Sequence, residues 1–134
     1  MRVVIQCAGG KVETAGTLRT ASGTPLAFVA HPEQAPDDGR LYAHPDDRSD
    51  TGETWRERVQ RRNDEPVDAE AELLRAADLY DNLIYSRLAE GVGVERLYIL
   101  SAGWGLVRGD FRLPDYDVTF QQQAPGYKRR RRSD

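Results

Sequence analysis

The sequence predicts an α/β fold, a small mostly parallel sheet flanked by helices. Three observations carry this. Residues 3–7, VVIQC, are a contiguous apolar run that closes on glycines. Residues 73–88 place apolar side chains at helical spacing. Residues 97–101, LYILS, form a second apolar run directly after that helix. Strand, helix and buried strand in that order mark a right-handed crossover between parallel strands.

Taken in order, the first strand holds Val3, Val4 and Ile5, contiguous and β-branched as in a strand covered on both faces. It ends at Ala8-Gly9-Gly10-Lys11, a turn that can bring backbone amides and one cation to a ligand. The spacing is not that of a Walker loop. Residues 25–30, PLAFVA, read as another strand with Pro25 at its first position. Residues 31–54 are rich in Pro, Asp and Gly and read as a surface insertion, with Leu41-Tyr42-Ala43 briefly extended. His31, His44 and Asp46 fall in this insertion as solvated loop residues, and their spacing assigns no metal site.

Thr54 is an N-cap and Glu57 completes its capping box, predicting a helix from Trp55 to about Asn63. Its apolar content is Trp55 and Val59, and Arg56, Arg58, Arg61 and Arg62 give it a basic face. Pro66 and Asp68 open the next helix, carrying Leu73, Leu74, Ala76, Ala77, Tyr80, Leu83, Ile84 and Leu88. Asp81-Asn82 either splits it or sits on its exposed face, and Gly91 and Gly93 end it. The second buried strand follows. Beyond it lie Trp104, Arg108 and Asp110, then Pro114, Asp115, Tyr116 and Asp117. Apolar strand character and polar chemistry meet most densely between Leu97 and Phe120.

The chain has 134 residues and 31% of them are charged, which suits one somewhat polar domain. Residues 1–120 are read as that domain and residues 121–134 as a flexible polybasic tail or linker. Net charge is −3, yet Lys128, Arg129, Arg130, Arg131 and Arg132 are consecutive. Setting aside residues 128–134 leaves 14 basic against 21 acidic residues. A basic end on an acidic body reaches toward DNA or RNA phosphates or folds back on its own domain. The single cysteine, Cys7, excludes an intrachain disulfide and a multi-cysteine zinc site. A cytoplasmic protein with no membrane span and no cofactor is the expectation. The sequence leaves the oligomeric state open.

Four elements together resemble the YaaA family and its small relatives. They are Cys7-Ala8-Gly9-Gly10-Lys11, then Leu79-Tyr80 with Tyr85, then Ile99-Leu100-Ser101-Ala102 with Gly105-Leu106, and last Asp115-Tyr116-Asp117. The resemblance covers about half of the chain. It implies a Rossmann-like or YaaA-like α/β fold, association with DNA, and for one branch a role in oxidative stress response. A similar strand-turn with a Tyr-Asp element occurs in a domain of archaeosine synthase, which implies a nucleobase or nucleotide pocket. The chain departs from the pattern in three places. Asp115 is inserted between Pro114 and Tyr116, residues 12–78 are longer, and the chain stops soon after Asp117. A fold short of an edge, with exposed apolar surface, is therefore a further expectation.

Carried onto this chain, the resemblance makes Cys7, Gly9, Gly10, Ser101, Gly103, Gly105 and Tyr116 ligand-binding candidates. Asp117, Lys11 and Asp115 become the catalytic candidates. If the two apolar strands are neighbours, Cys7, Lys11, Ser101 and Asp117 converge at their C-terminal ends, where open parallel sheets bind ligands. Lys11 would hold an anionic group, Tyr116 would stack on a base, and either acid would serve as general base or bind a ribose hydroxyl. Lys128 to Arg132 would bind phosphates. Three readings stand: a nucleic-acid-associated protein, an enzyme acting on a nucleobase or nucleotide, and a truncated relative without activity of its own. With no histidine in a triad-like context, Ser or Cys hydrolase chemistry is disfavoured.

Overall fold

The structure, a computed structural model, describes residues 1–8, 10–65, 73–131 and 133–134. Strand β1 (Val3–Gln6) pairs in parallel with β5 (Leu97–Ser101), Val3 opposite Leu97 and Ile5 opposite Ile99. The two apolar runs are therefore neighbours. Between them in sequence come β2 (Leu26–Phe28) and β3 (Leu41–Ala43), a second parallel pair. Helix α1 (Trp55–Asp64), β4 (Leu74–Arg75), the single turn α2 (Ala76–Leu79) and α3 (Leu83–Val92) follow. After β5 the chain reverses at once into β6 (Gly105–Arg108), antiparallel to β5, and then β7 (Arg112–Leu113) pairs antiparallel with β4.

The α/β class holds, but the sheet is mixed rather than mostly parallel. Of the strand pairs among the described residues, two are parallel and two antiparallel. The departure arises at the turn that carries the ligand-binding candidates Ser101, Gly103 and Gly105. It is a hairpin turn, with Ser101 opposite Gly105, whose φ of 81° only glycine adopts at little cost.

Strand alternation sends Val3, Ile5, Leu97 and Ile99 inward, where Leu97 and Ile99 are fully buried. The opposite face is open: Val4 is 63% exposed, Leu100 39% and Leu106 58%. The expectation of a first strand covered on both faces is corrected accordingly. A run of β-branched residues reads the same for one covered face as for two.

Helix α1 forms as its caps dictate. The Thr54 hydroxyl accepts from the Glu57 amide, and Trp55 and Val59 are the apolar anchors. Phe28 meets Trp55 and Trp104 edge-to-face, with ring centroids 6.0 and 5.1 Å apart. The expected helix beginning at Pro66 and Asp68 lies outside the described residues. From Leu74 onward the apolar spacing is split. Asn82 caps α3 through the Ile84 amide, and Gly93 closes it with φ 91°. Asp81-Asn82 thus divides two elements instead of lying on one helix. The insertion is stitched into the core: β3 pairs with β2, Ala43 is buried, and Pro45 and Asp47 carbonyls accept from the first amides of α1.

Candidate functional site

The turn after β1 is pinned to the end of α2. Val12 donates to the Leu79 carbonyl, Asp81 donates to Gly10, and Lys11 bridges Tyr80. Across the parallel pair, the Cys7 amide donates to Leu100 and the Ala102 amide donates to Cys7 Sγ at 3.3 Å. A third strand-like piece, residues 114–118, runs past both ends. Its Asp115 amide bonds to Gly16 and its Asp117 amide to Phe28. Alternation along it turns Tyr116 inward and leaves Asp115 and Asp117 on the other side.

Tyr116 is the hub of the cluster. Ser101 Oγ donates to its hydroxyl at 2.8 Å, Tyr80 Oη lies 2.6 Å away, and Ser101 Oγ accepts from the Trp104 amide. Lys11 Nζ sits 3.9 Å from the Tyr116 ring centroid, a cation–π contact. Burial lowers the Lys11 pKa from its ordinary value, opposed by the charges of Asp115, Cys7 and Asp117. Burial also raises the Asp115 carboxyl, opposed by Lys11, and it raises both the Tyr80 and the Tyr116 phenols. Cys7, Lys11, Ser101, Asp115, Tyr116 and Asp117 thus share one neighbourhood, as expected from adjacent strand ends.

Their roles differ from those expected. Ser101 is fully buried, and its hydroxyl both donates and accepts within the protein. Tyr116 is 4% exposed, so its ring is packed rather than presented for base stacking. Gly103 is small for that ring: a Cβ there would fall 2.9 Å from Tyr116 Cδ2. Gly105 serves the hairpin. The Gly10 carbonyl accepts from the Asp81 amide, and Gly9 lies outside the described residues. The groups facing outward are Asp115, Asp117 and, partly, Lys11 and Cys7. Asp115, Tyr116, Asp117 and Arg40 line a cleft of 310 Å³ closed by Pro25, Leu26 and Leu41.

The basic end takes the fold-back course. Thr119 and Arg129 form a parallel bridge, in which the Thr119 amide donates to the Lys128 carbonyl and the Arg130 amide donates to Thr119. The turn Gly126–Lys128 is 3₁₀, and Tyr127 meets Tyr42 edge-to-face. Lys128 Nζ reaches Asp117 at 2.7 Å, joining the basic end to the acid of the Tyr116 cluster. That hydrogen bond raises the Lys128 pKa. Arg129 donates to the Gln122 carbonyl and Arg130 to Ala102. Together with Arg131, Phe120 and Gln122 they line a concavity of 630 Å³. Arg132 lies outside the described residues. No local sequence signal announces Phe120 or Gln122 as neighbours of the arginines, or Tyr80 as the partner of Tyr116; only the register of the fold-back and the turn after β1 supplies them.

Among the described residues no group of three His, Cys, Asp or Glu is arranged to hold a metal ion. His31 faces Asp134 at 3.2 Å, and the Asp46 beside His44 pairs with Arg56. Among them, too, no helix is long and apolar enough to cross a membrane. Comparison with protein-family models, curated proteins and solved structures finds no match to this chain.

Proposed function

We propose that this chain is a nucleic-acid-associated protein, YaaA-like in its strand-turn and Asp-Tyr-Asp elements, with a nucleotide or nucleobase-type pocket beside its phosphate contacts. One observation carries the reading. The Lys128–Asp117 ion pair makes the basic end and the acidic cleft a single surface, cations on one side and carboxylates on the other. Such a surface matches a ligand with an anionic backbone and hydrogen-bond-donating bases. Phosphates go to Arg129, Arg130 and Arg131, and base edges face Asp115 and Asp117. The test is anisotropy titration of a labelled oligonucleotide across salt concentrations. Three phosphate contacts should give a log–log slope of about −2 on a single strand. Salt-independent or absent binding overturns the reading.

The opposed shifts of Lys11 and Asp115 favour a second reading, an enzyme acting on a nucleobase or nucleotide. Asp115 then displaces Asp117 as the candidate general base, because Asp117 is held by Lys128. Turnover of nucleosides by the intact protein, lost in Asp115→Asn, would support it; equal rates in both would remove Asp115 from the mechanism.

A further inference from the structure

The concavity of the basic end narrows its own occupant. The guanidinium groups of Arg129 and Arg130 donate to backbone carbonyls, which hold them in place without cancelling their charge. Among the described residues, no carboxylate forms an ion pair with Arg129, Arg130 or Arg131. Asp46 lies near Arg130 and Asp134 near Arg131 without forming an ion pair, and Phe120 stands beside the arginines as an aromatic wall. The Thr119–Arg129 bridge sets Phe120 beside these arginines as one hydrogen-bonded unit, and Phe120 is half-buried against the core while still lining the concavity.

A duplex keeps its bases stacked and paired, so an aromatic wall beside its phosphates finds no base face. A single strand can turn a base out onto it. The element that would suit a duplex groove is α1, and three of its arginines already meet carboxylates. Arg56 is paired with Asp46, and Arg58 and Arg61 are paired with Glu53. We propose that the concavity binds single-stranded nucleic acid, with phosphates on Arg129, Arg130 and Arg131 and one base seated on Phe120, tolerant of base identity. The proposal rests on the nucleic-acid reading above and names the substrate class of that surface.

The test uses the full chain and anisotropy with labelled 12-mers of dT and dA and a mixed-sequence duplex of equal length. Phe120→Leu keeps an apolar side chain against the core and removes the π face, and Phe120→Tyr restores that face. The expected result is tighter binding of both single strands than of duplex. Phe120→Leu should weaken single-strand binding at least about 5-fold, leave duplex binding unchanged, and be rescued in Phe120→Tyr. Duplex binding equal to or tighter than single-strand binding overturns the proposal. So does a Phe120→Leu variant with unchanged single-strand affinity. In either case salt-dependent binding would leave the broader nucleic-acid reading standing, whereas no binding to any of the three probes would overturn both.

Discussion

Helix α1 and residues 128–131 are the two basic regions of this chain, and in sequence they look alike. Each crowds arginines into a short stretch of a net acidic protein. Folding treats them oppositely. Three arginines of α1 meet carboxylates: Arg56 meets Asp46 at 2.6 Å, while Arg58 and Arg61 converge on Glu53. Arg58 is also buried, its guanidinium 5.1 Å from the Trp55 ring centroid and donating to the Arg19 carbonyl. At the C-terminal end Arg129 and Arg130 donate to backbone carbonyls instead. A basic run is thus a poor guide to a binding surface until the counter-charges around it are known.

The strongest way to break this comparison is to remove charge from each region in turn. Replacing Arg129, Arg130 and Arg131 by Gln should flatten the salt dependence of single-strand binding by about 2 in log–log slope. Arg56→Gln with Arg61→Gln should leave that slope unchanged. Equal losses from both sets, read by anisotropy, would dissolve the distinction.

Tyr116 anchors the segment that leads into the basic end. Tyr116→Phe strips Ser101 Oγ and Tyr80 Oη of a buried partner. It should cost about 1–3 kcal/mol, seen as a lower urea midpoint at unchanged slope. A neutral outcome would mean that the hydroxyl chain is not what holds residues 114–118.

Asp115 is the converse of α1, an outward-facing carboxylate whose partial desolvation outweighs the pull of Lys11. Its raised pKa means the folded state holds this proton to higher pH than the unfolded chain. Ionised Asp115 therefore costs stability above the raised value, and the cost fades as pH falls toward the unfolded value of about 3.9. Asp115→Asn should gain stability over the parent at neutral pH, and the gain should shrink on acidification. A constant difference from pH 7 to pH 4 in urea titrations would contradict this.

The smallest effect belongs to Lys128, which, among the described residues of the basic end, is the cation that forms an ion pair with a carboxylate. Its ion pair with Asp117 is partly exposed, so Lys128→Gln should cost no more than about 1 kcal/mol. It should also barely change the salt slope. A slope change as large as that of an arginine would place Lys128 among the phosphate contacts.

What the sequence alone determined is local. Contiguous β-branched residues made β1, a second apolar run made β5, and Thr54 with Glu57 started α1 where the capping box says. The strand–helix–strand order pointed to β1 and β5 as neighbours, and, given that adjacency, to the meeting of Cys7, Lys11, Ser101 and Asp117. What only the tertiary structure decided is non-local. One case is that Ala102-Gly103-Trp104 closes a hairpin and so mixes the sheet. Another is that Tyr116 is a buried hub while Asp115 and Asp117 face out. The last is which arginines find a carboxylate. Periodicity and caps are written within a few residues of where they act. Ion pairs such as Lys128–Asp117 and Arg56–Asp46 join residues about ten apart, and the hydrogen bond from Arg56 to the Trp104 carbonyl spans 48 positions. Charge and hydrogen bonding act through space at a few ångströms, and only the folded chain sets those distances.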